Sequence, residues 1–158
     1  MKILQDGHPH LKERLATVHV NEFSLKQINS YAEVMNQLMQ DNNGVGLASN
    51  QIGSSLRFFI MKHDLGYEIL INPKIIFSTG KSVSNEGCLS FMEPNMRRIK
   101  VKRKRLVTVR FIDGKGRDRE ETYEGFKATV VQHEIDHLDG ITMDVRSIQQ
   151  RKPTNYFR

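Results

Sequence analysis

Apolar side chains at Leu25, Ile28, Tyr31, Ala32, Met35, Leu38 and Met39 recur at helical spacing. This predicts one amphipathic helix with a buried stripe, opened by Ser24 as N-cap and closed at Asp41-Asn42-Asn43-Gly44. Its methionines are core filler. Apolar runs over 56–61 and 68–77 predict short strands, the second interrupted at Pro73, and 81–84 leads into a further segment. Residues 106–112 alternate like a strand, and Asp113-Gly114-Lys115-Gly116 signals a hairpin into a polar strand through Thr122. Gly125 opens a second helix, and Gly140 supplies the residue type that stops one in a left-handed cap. Residues 1–23 open with a turn around Gly7-His8-Pro9-His10, and the tail after 141 is short, with Pro153 opposing a long helix. A few short strands around a central helix, one earlier helix and no βαβ alternation predict an α+β fold with mostly antiparallel pairing.

Composition narrows the class. A chain of 158 residues, 38% hydrophobic and 27% charged, is expected to form a single domain over 1–158 with a sizeable core. Apolar runs fall far short of the ~20 residues of a membrane span, and Met1-Lys2-Ile3-Leu4 opens no signal peptide. The single cysteine forms no internal disulfide, so the expected compartment is the reducing cytoplasm. The formal charge is +6, 24 basic minus 18 acidic residues, and much of it lies in the run 97–105. There Arg97, Arg98, Lys100, Lys102, Arg103, Lys104 and Arg105 crowd around Ile99 and Val101. Such a run is first a solvated strand or loop face. Its sharper reading is attraction without sequence specificity to a polyanion such as ribosomal RNA.

The stretch that carries chemistry is His133-Glu134-Ile135-Asp136-His137. Residues four apart share a helix face, so the two imidazoles can converge on one metal ion while Glu134 leans over its open side. A catalytic metal usually has three protein ligands and one open position. No glutamate follows Glu134, no histidine follows His137, and Met143 stands where one long motif would place a third histidine. Asp139 and Asp144 remain carboxylate candidates. Upstream, Cys88 in Glu86-Gly87-Cys88-Leu89-Ser90 offers a thiolate, with Gly87 allowing close backbone approach. His8 and His10, two apart around a proline, read as surface loop. The glycine-rich turn from Gly44 to Gly53 lacks the Lys-Ser/Thr of a phosphate loop; its glycines allow backbone to run against a bound peptide, and Gln51 offers an amide donor.

Three segments resemble, in order, the signature motifs of the peptide deformylase family: Gly44-Val45-Gly46-Leu47-Ala48-Ser49-Asn50-Gln51, Glu86-Gly87-Cys88-Leu89-Ser90 and His133-Glu134-Ile135-Asp136-His137-Leu138. Ser49-Asn50 departs from the usual Ala-Pro, and Met92 stands where a proline is usual. The resemblance implies hydrolysis of the N-formyl group of formylmethionyl peptides at the start of nascent chains, and the chain is expected to act as a monomer. It implies Cys88, His133 and His137 as ligands to one divalent ion, Fe(II) favoured with Zn, Ni or Co as replacements, and Glu134 as proton carrier. Gln51 and the Leu89 backbone N–H are implied as oxyanion donors, and Val45, Gly46 and Gly87 as substrate contacts. Phe126 and Val130, seven and three residues before His133, suit the wall of a methionine pocket, in which Thr129 is more polar than expected. Arg103 resembles a family arginine that supports the metal-bearing helix through Asp136, and Arg97 is a candidate substrate contact. The C-terminal helix that bacterial members dock on the ribosome is expected to be truncated, leaving ribosome contact to the run 97–105.

Overall fold

The computed structural model describes residues 1–92 and 94–151. Its elements are α1 (Glu22–Asp41), β1 (Gly46–Ala48), β2 (Phe58–His63), β3 (Gly66–Thr79), β4 (Ser82–Glu86), β5 (Ile99–Arg103), β6 (Leu106–Ile112), β7 (Asp118–Glu124), α2 (Phe126–Leu138) and α3 (Met143–Arg151). Strands β1-β2-β3-β6-β7 form one sheet and β4-β5 a second, and every pairing is antiparallel. The α+β expectation holds.

Alternation along β2 explains the layering. Phe58 and Ile60 join Ile28, Ala32, Met35 and Met39 of α1 in one apolar cluster; Phe59 and Met61 join Val131, Ile135 and Leu138 of α2 in another. Successive strand residues point to opposite faces, so one strand serves two cores and the large sheet lies between the two helices. Helix α2 is buried from Ala128 to Leu138: the large sheet packs on one side, and Cys88, Glu86 and Arg103 from the cysteine segment and the small sheet, with Lys104 just after β5, reach its polar side chains on the other. Polar side chains on such a helix ordinarily need partners, so one left without a partner calls for a functional reason.

The ends of the elements sharpen the sequence reading. Asn21, not Ser24, caps α1: its side chain accepts from the Ser24 N–H at 2.9 Å, and the Ser24 hydroxyl accepts in return from the Asn21 N–H at 2.9 Å. Ser24 is therefore the return half of a capping box. Strand β3 absorbs Asn72-Pro73 as a bulge, with Asn72 at φ +50° and its side chain pairing both backbone groups of Val18 at 2.8 Å. Helix α2 stops as expected before Gly140, at φ +72°, where a Cβ would meet the Lys12 carbonyl oxygen at 2.5 Å. The tail after 141 forms α3, a helix that its polar composition hid; Pro153 lies outside the described residues.

Strand β5 has β4 on one side only. Along its other edge the Gln150 side chain accepts from the Lys102 N–H and donates to the Lys102 carbonyl, both at 2.8 Å. Gln132 does the same at Lys104, both at 2.9 Å. Two side-chain amides from α2 and α3 thus stand in for a missing strand, and fix the flank of α2 against the segment that carries Arg103.

Candidate metal centre and active site

His133 and His137 are one helical turn apart on α2, with ring centroids 4.9 Å apart. Cys88 enters from the loop after β4, and a short 3-10 turn, Leu89–Phe91, carries the chain away. The three potential ligand atoms lie within 4.8 Å of one another, and Cys88 Sγ is 3.2 Å from His137 Nε2. Ligands of a tetrahedral Zn-type site stand roughly 3.5 Å apart, and a buried thiolate with two imidazoles is a donor set for a borderline-soft divalent ion. The residues fit a single metal ion. Asp139 and Asp144 are engaged elsewhere: Asp139 pairs with Arg57 at 2.9 Å, and Asp144 accepts from Thr142. His8 caps a 3-10 turn in the exposed N-terminal loop, and His10 pairs with Glu13.

Behind the donors runs a chain of buried ion pairs. His133 Nδ1 donates to Glu86 Oε2 at 2.8 Å, which leaves its other nitrogen free to bind a metal. Arg103 donates to both oxygens of Glu86, at 2.6 and 2.8 Å, and to Asp136 at 2.6 Å. Arg146 closes the chain on Asp136 at 2.5 Å. Burial alone raises the Glu86 carboxyl, but hydrogen bonds from Arg103 and His133 outweigh it and hold the group below its ordinary value. Burial and the nearby positive groups His133 and Arg103 push His137 well below the usual histidine range, so it stays neutral as a ligand must. Arg103 supports α2 through Asp136, as the resemblance implies. Its larger hold is on Glu86, a contact that no sequence motif reports.

Glu134 sits one position along, buried, with Oε2 free of any hydrogen-bond partner among the described residues. Burial pushes its carboxyl up to about 7, partly countered by His133. It shares its space with Gly46, where a Cβ would lie 2.5 Å from Glu134 Oε1 and 3.0 Å from Val130 Cγ1. A glycine is needed there for room. Gln51 is also buried: its Oε1 accepts from the Ala48 N–H at 2.9 Å, which turns Nε2 toward Cys88 Sγ at 3.6 Å and Ser90 Oγ at 3.0 Å. Asn50, the departure from the expected proline, donates to the backbone carbonyl of His137 at 2.6 Å.

Most of the groups closest to the metal donors border a cavity of about 250 Å³. Val45, Gly46, Gln51, Gly87, Cys88, Leu89, Phe126, Thr129, Val130, His133 and Glu134 line it; His137 lies deeper. Sequence reasoning did not place Asn42, Asn43, Met96 or Arg98 on this lining, where the structure has them. Arg97, the candidate substrate contact, pairs with Asp6 at 2.6 Å and covers the Phe91 ring at 4.6 Å, while its neighbour Arg98 lines the cavity.

Residues 1–152 match the family model described as polypeptide deformylase. A peptide deformylase of Dictyoglomus thermophilum is 35% identical over 153 residues, covering 97% of this chain and 96% of that protein. The crystal structure of peptide deformylase from Thermotoga maritima superposes with a TM-score of 0.81 at 37% identity, covering 92% of this chain and 95% of the other. That of a probable peptide deformylase from Synechococcus phage S-SSM7 reaches a TM-score of 0.83 at 29% identity, over 92% and 98%. Motifs, fold and site geometry converge, and the chain belongs to the polypeptide deformylase family.

Proposed function

We propose that this deformylase removes the formyl group from N-formylmethionyl peptides with Cys88, His133 and His137 holding one divalent ion and Glu134 moving the proton. The observation that supports this most is the unpartnered, buried Glu134 carboxylate beside three converging metal donors at the base of one cavity. When bound, the ion supplies Lewis acidity and lowers the pKa of water from ~16 toward neutrality. Glu134 takes a proton from the attacking water and returns it to the departing amine, for which a buried carboxylate with an oxygen free of other partners is suited. The Gln51 amide, aimed by the Ala48 N–H, and the Leu89 N–H at the head of its 3-10 turn are donors for the developing oxyanion. Val45, Gly46 and Gly87 border the substrate backbone, and Phe126 and Val130 wall the methionine side chain. Formate and a free methionyl terminus are the products.

Fe(II) is the ion we propose, with Zn, Ni and Co as replacements; the same donors serve all four, and a thiolate so placed is open to oxidation. No helix among the described residues is long and apolar enough to cross a membrane, and we place the enzyme as a monomer in the cytoplasm, where nascent chains emerge. The test is formate release from formyl-Met-Ala-Ser, with and without chelator. Glu134→Gln is expected to retain stoichiometric metal and lose turnover; unchanged turnover in that variant overturns the proton-carrier role, and full metal binding by Cys88→Ser overturns the ligand set.

A further inference from the structure

A second cleft, of about 720 Å³, opens on the flank of α2 that carries Gln132, Ile135 and Asp136, turned away from Glu134. Its volume lies in the range of small-molecule sites, roughly 300–1,000 Å³. One wall is apolar, made by Ile75, Val83 and Ile135. The rest is cationic: Lys81, Lys102, Arg103, Lys104 and Arg146 line the cleft against the single carboxylate of Asp136.

The charges do not cancel. Arg103 and Arg146 are matched by Glu86 and Asp136, so that four-residue cluster is neutral as a unit. Lys81, Lys102 and Lys104 are left over. All three are exposed, and none has a carboxylate within ion-pair distance among the described residues. They come from two separate stretches of chain, the β3–β4 turn and the β5–β6 segment, that the fold gathers at one rim. Unpaired cations around a concavity with low-dielectric walls focus field into it and raise the local concentration of anions. Arg146 adds a guanidinium that is partly exposed at its floor, a planar fork suited to phosphate oxygens.

From these observations we infer that the cleft between β5 and α2 binds a small phosphate-bearing molecule of nucleotide size, its phosphates on the lysine rim and its less polar part against Ile75 and Val83. The apolar wall and the size of the open cleft favour such a ligand over a bare inorganic anion. The site is separate from the metal centre and independent of the deformylase reading.

The probe is ADP, with inorganic phosphate as the smaller comparison, titrated into the metal-loaded full chain and followed by calorimetry and amide NMR shifts. The expected result is saturable binding of ADP, weaker binding of phosphate, a fall in affinity with added salt, and shifts at Lys81, Lys104 and Gln132. The triple substitution Lys81→Gln, Lys102→Gln, Lys104→Gln, all at exposed positions, is expected to weaken ADP by at least about tenfold, while Lys26→Gln on α1 leaves it unchanged. Equal affinity in the triple variant, or no saturable binding, overturns the proposal. Shifts confined to the residues around Glu134 do so as well.

Discussion

Glu86 and His133 meet at 2.8 Å through a carboxylate that Arg103 holds from the other side with two further hydrogen bonds. The imidazole is thereby fixed in ring angle, with its Nδ1–H held on Glu86, before any metal arrives. Glu86→Gln keeps the shape and removes the negative charge from His133 and Arg103. Metal affinity is expected to fall about 10–100-fold. Competition with a calibrated chelator measures it, and wild-type affinity in the variant would refute the role.

Gly46 gives a steric prediction. An alanine Cβ there stands 2.5 Å from Glu134 Oε1 and 3.0 Å from Val130, both buried, so neither can retreat into solvent. Gly46→Ala is expected to lower stability by roughly 1–3 kcal/mol, as overpacking does, and to reduce kcat more than metal content. Denaturant midpoints together with metal analysis would separate the two effects.

The chelated protein should show a pH dependence that belongs to Glu134. Burial raises this carboxyl from 4.5 to about 7 in the folded chain, so the folded state holds its proton more tightly than the unfolded one. The stability this confers is complete below the unfolded value of about 4.5 and is lost as pH rises through about 7. Glu134→Gln keeps the neutral shape and removes the titration. At about pH 8 the chelated variant is expected to be more stable than chelated wild type by on the order of 1–3 kcal/mol, with no difference near pH 4. Thermal melts at both pH values decide, and a difference that does not grow with pH counts against it.

Metal identity yields a separate outcome. Anaerobic reconstitution with Fe(II) is expected to give higher turnover than reconstitution with Zn at equal occupancy, and exposure to air is expected to erase the advantage. Full activity with tightly held Zn alone refutes the preference.

Ribosome contact, if the basic run carries it, depends on Arg98 and Lys100. Charge reversal at both is expected to weaken co-sedimentation with ribosomes and to flatten its salt dependence. Unchanged co-sedimentation removes the idea.

Much of this was legible because local chemistry and global fold agree. The spacing of His133 and His137, the stop at Gly140 and the alternation of 106–112 each encode their outcome within a few residues. What escaped prediction depends on long-range closure. The start of α1 is ambiguous in the sequence because Asn21 and Ser24 are both good capping residues, and only the reciprocal pair of bonds tells them apart. The burial of Glu86 beneath His133 requires β4 to be folded against α2, 47 residues away in sequence, and no local pattern reports it. Helix α3 was hidden by a polar composition, since its stability comes from Met143, Ser147 and Gln150 engaging β5 rather than from an apolar stripe.

The two glutamines alongside β5 have an effect on colloidal behaviour as well as on shape. An uncovered strand border is where a neighbouring polypeptide can zip on and begin an aggregate. With Gln132 and Gln150 occupying the main-chain groups of Lys102 and Lys104, an incoming polymer finds that border already satisfied and, at the surrounding lysines, repelled if it is itself cationic. Replacing both amides with leucine would reopen it, so two uncharged side chains act as the molecule's guard against sticking to its own kind.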